Sequence, residues 1–158
     1  MNYSVDDLSH KAIYKLLTAT VTPRPIAWVT TCCKQGTVNA APFSFFNIMG
    51  DEPPMAVFSI DKSYDKDKKD TIANIIETGE FVVNLVPMKL AEQMSFTAID
   101  APYGFDELKA AHVATIPSHT VNVPQIALSP VAFECVNHAT MLTGARQYLV
   151  IGRVIKFA

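Results

Sequence analysis

The sequence predicts a mainly β domain with a few short helices, its antiparallel strands rolled into a closed or partly closed barrel. Three observations carry this expectation. Five segments are rich in β-branched and aromatic residues, as strands are: "PIAWVTT" (25–31), "AVFSI" (56–60), "FVVNLV" (81–86), "VAFECV" (131–136) and "YLVIGRVIKF" (148–157). Turn chemistry lies between them, in "KQG" (34–36) and "GDEPP" (50–54). No repeat, low-complexity tract or break in composition divides the chain, and barrel closure is the natural way for a single sheet to hide its edges.

The elements follow in order. Ser4 and Asp7 have the spacing of a capping box, and Leu8, Ile13, Leu16 and Leu17 then fall roughly on one face of a helix. The first strand, 25–31, comes next. "VNAAPFSFFN" (38–47) is apolar like a strand, but Asn39, Ser44 and Asn47 interrupt it and Pro42 sits in its middle. Proline cannot donate to a sheet ladder. The segment is therefore an edge strand or bulge, or a backbone left open for a ligand. "DTIANIIETG" (70–79) reads as a helix with Ile72, Ile75 and Ile76 on one side and Gly79 as its stop. "PMKLAEQMS" (87–95) opens a further helix with a proline, where one is tolerated. Residues 100–125, broken by Pro102, Pro117 and Pro124, read as loop with one short helix near 105–111.

Composition narrows the classes. At 158 residues, with 49% hydrophobic and 18% charged residues, the chain is expected to be one domain with a buried core. A formal net charge of −2 gives no electrostatic reason to bind nucleic acid or an acidic membrane surface. The start, "MNYSVDDLSHK", lacks the basic head and apolar stretch of a signal peptide, and no apolar run approaches the roughly 20 residues that cross a bilayer. A cytoplasmic protein is expected. Three cysteines, Cys32, Cys33 and Cys135, do not suggest a disulfide framework, and adjacent Cys32 and Cys33 read as reduced residues at a strand end. His10, His112, His119 and His138 form no metal pattern, and no metal is expected.

The six glycines form neither common phosphate cradle. A bound phosphate would need side chains and helix ends. Arg24, held between two prolines, could bind an oxyanion with two donors, although a solvent-facing arginine in a turn has the same spacing. "KDT" (69–71) opens a helix, where free N–H groups favour an anion; Lys69 could add charge, and Thr71 and Asn74 hydrogen bonds. Asp70, itself a good N-cap, argues for a capped surface helix instead. Asp65, Asp67 and Asp70 lie in "YDKDKKD" (64–70), where interleaved lysines point to a solvated loop. Trp28 reads as core. No acid/base or nucleophile constellation is visible, so catalytic residues stay unassigned.

Together, "PRPIAWVTT", "VNAAPFSFFN", "DEPP" and "KDTIANIIETGEFVVNLV" resemble the flavin reductase-like, FMN-binding split-barrel family. "SP" at 129–130 and "YLVIGRV" at 148–154 extend the likeness more loosely. The resemblance implies a single domain over 1–158: a homodimeric split β-barrel, antiparallel and Greek-key-like, with FMN near the subunit interface. It implies an oxidoreductase that takes hydride from NADH or NADPH and passes electrons to an unspecified acceptor; the alternative is a flavoredoxin-like electron carrier without efficient turnover. By the same resemblance, residues matching 39–47 run beside the isoalloxazine ring. Asn39, Ser44 and Asn47 then offer hydrogen bonds to the ring or ribityl chain, Ala40 is cofactor-binding within the same segment, and Ala41 and Phe45 belong to the supporting wall at 41–47. Arg24, Lys69 and Thr71 match positions near the phosphate, with Asn74 supporting them. Members usually continue past the strand matching 148–157 with a tail that packs on the barrel; the sequence ends at Ala158, as expected of either a truncated chain or a short member. Where members often carry a histidine before the last strand, this chain reads "GARQY" (144–148), and that histidine's role is not carried over.

Overall fold

The computed structural model describes residues 2–61, 69–102 and 104–158. Asp65 and Asp67 lie outside them. After a 3-10 turn at Val5–Asp7, helix α1 runs His10–Thr20. The capping expectation is corrected: Ser4 makes no side-chain cap, and Ser9 caps α1 by accepting the Ala12 N–H at 3.3 Å. The first oxygen that can reach back to a free N–H of the helix wins, and it belongs to the residue next to the helix. Of the predicted apolar face, Leu16 and Leu17 of α1 are exposed, whereas Leu8 and Ile13 are half-buried.

Seven strands form one antiparallel sheet: β1 (Ala27–Cys32), β2 (Val38–Phe43), β3 (Phe46–Asp51), β4 (Pro54–Asp61), β5 (Glu80–Asn84), β8 (Ala132–Leu142) and β9 (Gln147–Phe157). Their order is β2-β1-β5-β8-β9-β4-β3, so β2 and β3 are the two edges. Only Ser44 and Phe45 separate these edges in the chain. Two residues cannot span seven flat strands at about 4.8 Å each, so the sheet curls until its edges meet. The Ser59 N–H, on β4, donates to Phe45 O at 3.0 Å at this corner. The fold is the split barrel that the sequence leads one to expect. A short pair, β6 (Thr115–Ile116) and β7 (Gln125–Ile126), lies apart in the 100–125 region.

Helix α2 (Asp70–Thr78) ends at Gly79, whose φ of 75° is the left-handed stop that glycine adopts without cost. Ile72 and Ile75 enter the barrel core with Val29, Phe58, Phe81, Val83 and Val150, whereas Ile76 is exposed, against expectation. A nine-residue helix against a curled sheet buries a narrow stripe, and Ile76 falls past its border. The 87–95 expectation resolves into a 3-10 turn at Met88–Leu90 followed by α3 (Ala91–Phe96), and the short helix near 105–111 is α4 (Glu107–Ala110). These cover the outer face of β1 and β2, where Trp28 packs with Ala40, Leu90, Leu108 and Ile126. Trp28 is core, as read, and its Nε1 donates to Thr97 Oγ1 at 2.9 Å.

Candidate functional site

β2, the edge strand, explains its own proline. Trp28 faces Pro42 and Thr30 faces Ala40 across the β1–β2 ladder. The Ala40 N–H points away from β1, because it donates instead to Glu107 Oε2 at 3.1 Å. Pro42 lies two residues on, with its nitrogen on that same outer side, where no ladder bond is lost. Sequence and fold agree: this edge is free of sheet pairing.

Two cavities run along it. One, of about 90 Å³, is lined by Asn39, Ala41, Thr71 and Glu107 among others; the second, of about 170 Å³, by Ser44, Phe45, Ser59 and Asp61. Both share Pro42, Phe43 and Lys69. They form one groove from the start of α2 to the Ser44–Phe45 corner.

At the α2 end the expectation for Asp70 is corrected. Lys69, not Asp70, occupies the N-cap position and makes no side-chain cap. Asp70 is the first helical residue, buried, and accepts the Gly104 N–H at 3.4 Å. Its carboxylate serves the loop before α4 and does not cap the helix. Asn39 Nδ2 donates to Thr71 Oγ1 at 2.9 Å and Thr31 Oγ1 at 3.3 Å, and Asn74 Nδ2 donates to Thr31 Oγ1 at 3.1 Å. This buried network pins α2 to β1 and β2. It thereby brings Asn39, Thr71 and Asn74 together, as the sequence suggested, while spending much of their hydrogen-bonding capacity on the fold.

At the other end, Arg24 follows the cis Thr22–Pro23 bond. Its Nη1 donates to the carbonyls of Thr18 and Val21, both at 2.7 Å, at the end of α1, where a cation offsets the unpaired carbonyls. Its Nε reaches Ser44 Oγ at 3.5 Å, and its guanidinium lies 6.0 Å from the centre of the Phe45 ring. The plain reading and the sharp one both hold part of the truth: Arg24 secures α1, and it does so at the rim of the groove. Ala40 is buried in the Trp28 cluster, so only its backbone faces the edge. Asn47 sits exposed on β3, with its Oδ1 accepting the Ile48 N–H at 2.8 Å, and it lines neither cavity.

Glu107 is the group that sequence reasoning missed. It is 5% exposed, lies on the groove wall, and holds the open edge through Ala40. Burial pushes its carboxyl above the ordinary value; the Ala40 N–H opposes that, and the charges of Asp70 and Asp106 add to it. No motif surrounds it in the sequence, and only the packing of α4 on β2 reveals it.

A sequence model of the flavin reductase like domain matches residues 19–158. An uncharacterised protein of Deinococcus radiodurans is 42% identical over 158 residues, covering 98% of this chain and 69% of its own. The solved structure of nitrilotriacetate monooxygenase component B from Bacillus cereus is 34% identical with a TM-score of 0.94, over 99% of this chain and 80% of that one. That of the 2-nitrobenzoate 2-nitroreductase of Pseudomonas fluorescens is 35% identical with a TM-score of 0.91, over 100% of this chain and 76% of that one.

Proposed function

The chain belongs to the flavin reductase-like family of flavin-binding oxidoreductases, and from that premise we propose that it binds FMN in the β2 groove and acts as an NAD(P)H-dependent reductase. The observation that carries this reading is the donor set along the groove, where Lys69 lines both cavities and so joins its two parts. Lys69 and the Thr71 hydroxyl stand at an α2 start without a side-chain cap, while Ser44 and Arg24 stand at the corner. A cation and hydroxyls around a helix N-terminus suit a phosphate. Beside these donors, Ala41, Pro42 and Phe43 form an apolar wall against which a flat ring can rest. The residues present therefore fit the phosphate and ring of FMN.

Lys69 and Arg24 balance the phosphate charge, Ser44 and Thr71 donate to its oxygens, and Glu107 keeps the β2 edge in place through Ala40. When bound, the flavin supplies the two-electron chemistry, taking a hydride from NADH or NADPH and passing electrons to an acceptor. No protein acid or base is required for that transfer, in keeping with the lack of a triad or dyad in the sequence. The three free cysteines support a cytoplasmic setting. The exposed Leu16 and Leu17 of α1 support a homodimer that uses one patch twice. Light scattering is expected to return twice the chain mass, and a monomer mass with FMN tightly bound would contradict it.

Two further outcomes test the reading. Arg24→Ala is expected to weaken FMN binding by about 1.5–3 kcal/mol, the value of a hydrogen bond to a charged group, and to weaken riboflavin much less. Because Arg24 also holds the carbonyls of Thr18 and Val21, equal losses for both ligands in a fluorescence titration would assign it to the fold alone. Anaerobic addition of NADH or NADPH to the FMN-loaded protein is expected to bleach the flavin absorbance. Bleaching by dithionite but by neither nicotinamide would favour the electron-carrier alternative.

A further inference from the structure

Beside the groove, and sharing Asn39 and Asp70 with it, lies a cavity of about 370 Å³ whose wall includes Cys33, Thr37, Asn74 and Phe105. The flavin role uses neither this space nor Cys33. The β1–β2 turn shapes one side of it: the Cys33 N–H donates to Thr37 O at 3.0 Å, and the Gly36 N–H to Cys33 O at 2.9 Å. Gly36 has a φ of 89°, which glycine alone takes without strain. Burial by itself would raise the Cys33 thiol, but bonds from the Thr37 N–H and hydroxyl and from the N–H groups of Gln35 and Gly36 outweigh it and hold the thiol below its ordinary value. Burial, and then the charge of Cys33, pushes Cys32 up, while burial and then Glu134 take Cys135 to about 12.

Asn74 supplies an independent sign of a ligand. It is 3% exposed and lines the same cavity. Its Nδ2 is bound to Thr31, but its Oδ1 is buried with no partner among the described residues. Buried acceptors are seldom left so, and each one asks for an explanation. Among the described residues no Lys, Arg or His lines the cavity, while the Asp70 carboxylate does. A small molecule that donates N–H bonds and carries positive or no charge suits these walls.

We propose that Cys33 is a site of reversible mixed-disulfide formation with small thiols that bear an ammonium or amide group, seated in this cavity. The oxidant is a low-molecular-weight disulfide. The Cys33 thiol gives its proton to water, and the thiolate attacks one sulfur of that disulfide. A Cys33–sulfur bond forms as the original sulfur–sulfur bond breaks, and the other half leaves as a thiolate that takes up a proton. Cys33 is oxidised and the departing half reduced. A second thiol reverses the exchange.

The test uses the full chain, with cystamine and dithiodipropionate as probes and peptide mass mapping as the readout. Each rate is divided by the same disulfide's rate with N-acetylcysteine, which removes leaving-group differences. Cystamine is expected to modify Cys33 before Cys32 or Cys135, reversibly with dithiothreitol, and roughly tenfold faster on the normalised scale than the anionic probe, as one charge-assisted hydrogen bond would give. Cys33→Ser is expected to lose the fast uptake of cysteamine and keep only the slow one at Cys32 or Cys135. Adducts mainly on Cys32 or Cys135, equal normalised rates, or no adduct would each overturn the proposal. None of these outcomes depends on flavin binding.

Discussion

Phe81→Ala is expected to cost about 3–5 kcal/mol of stability, as the loss of a buried aromatic does, and Gly152→Ala about 1–3 kcal/mol by overpacking. The two positions are one contact. Gly152, on β9, pairs with Ala56 of β4 and Asn137 of β8, and a Cβ built on it would meet the Phe81 ring at Cε1, 2.7 Å away, and at Cζ nearer still. Phe81 is fully buried and cannot swing aside, because the Phe58 ring packs edge-on against it at 5.5 Å between centres. Inside a curled sheet the facing side chains crowd, and one strand must give up its side chain for the ring to lie across the barrel. Urea unfolding midpoints at constant slope measure the effect. In the Phe81→Ala background the Gly152→Ala change is expected to cost little, since the ring is gone. The same cost in both backgrounds would show that the ring and the glycine are not coupled.

Glu134→Gln is expected to cost about 2–4 kcal/mol at neutral pH, where hydrogen bonds to a charged group contribute about 1.5–3 kcal/mol each. Glu134 is fully buried on β8 and gathers the 119–121 loop. Its oxygens accept the N–H groups of His119 at 2.8 Å, Thr120 at 2.6 Å and Val121 at 3.3 Å, together with the Thr120 hydroxyl. Four donors want a carboxylate with two acceptor oxygens, and an amide replaces one of these with a donor. Burial would raise this carboxyl, but the Thr120 hydroxyl and the three N–H groups outweigh it and hold it below the ordinary value. A depressed folded value means that the unfolded chain binds the proton first. The stabilisation is then complete above the unfolded value and is lost as pH falls through the folded one. Urea midpoints between neutral pH and pH 3 are expected to fall steeply for the native protein and less steeply for Glu134→Gln. Parallel acid limbs would remove Glu134 from the titration.

Local composition was enough to find β1, β4, β5, β9 and α2, but β3 was not separated from the 38–47 segment and β6 and β7 fall in a region that reads as loop. β-branched and aromatic runs mark β1, β4, β5 and β9 within one or two residues at most ends, and Gly79 marks the α2 stop. β8 reads only in its first half. It continues through Asn137, His138 and Thr140 to Leu142 because its partner β9 runs alongside, with register shifts that absorb the mismatch. Here long-range pairing overrides a weak local preference.

The site divides along the same line. Which residue types could hold an anion was legible from "PRP" and "KDT", and the chain's resemblance to a flavin-binding family was legible from the order of its motifs. What each atom does was not. Asp70 turns to Gly104 and leaves the N-cap to Lys69, Arg24 spends one nitrogen on the end of α1, and Glu107 reaches the β2 edge from 67 positions along the chain. By itself the sequence determined most of the central strands, the helix stop, the apolar core and the inventory of donors, because these depend on neighbours a few residues apart. Only the tertiary structure decided that Ser44 and Phe45 close the barrel, that β2 is the open edge beside α2, and that a buried carboxylate holds it. Those outcomes rest on contacts between segments distant in the chain, which local pattern does not encode.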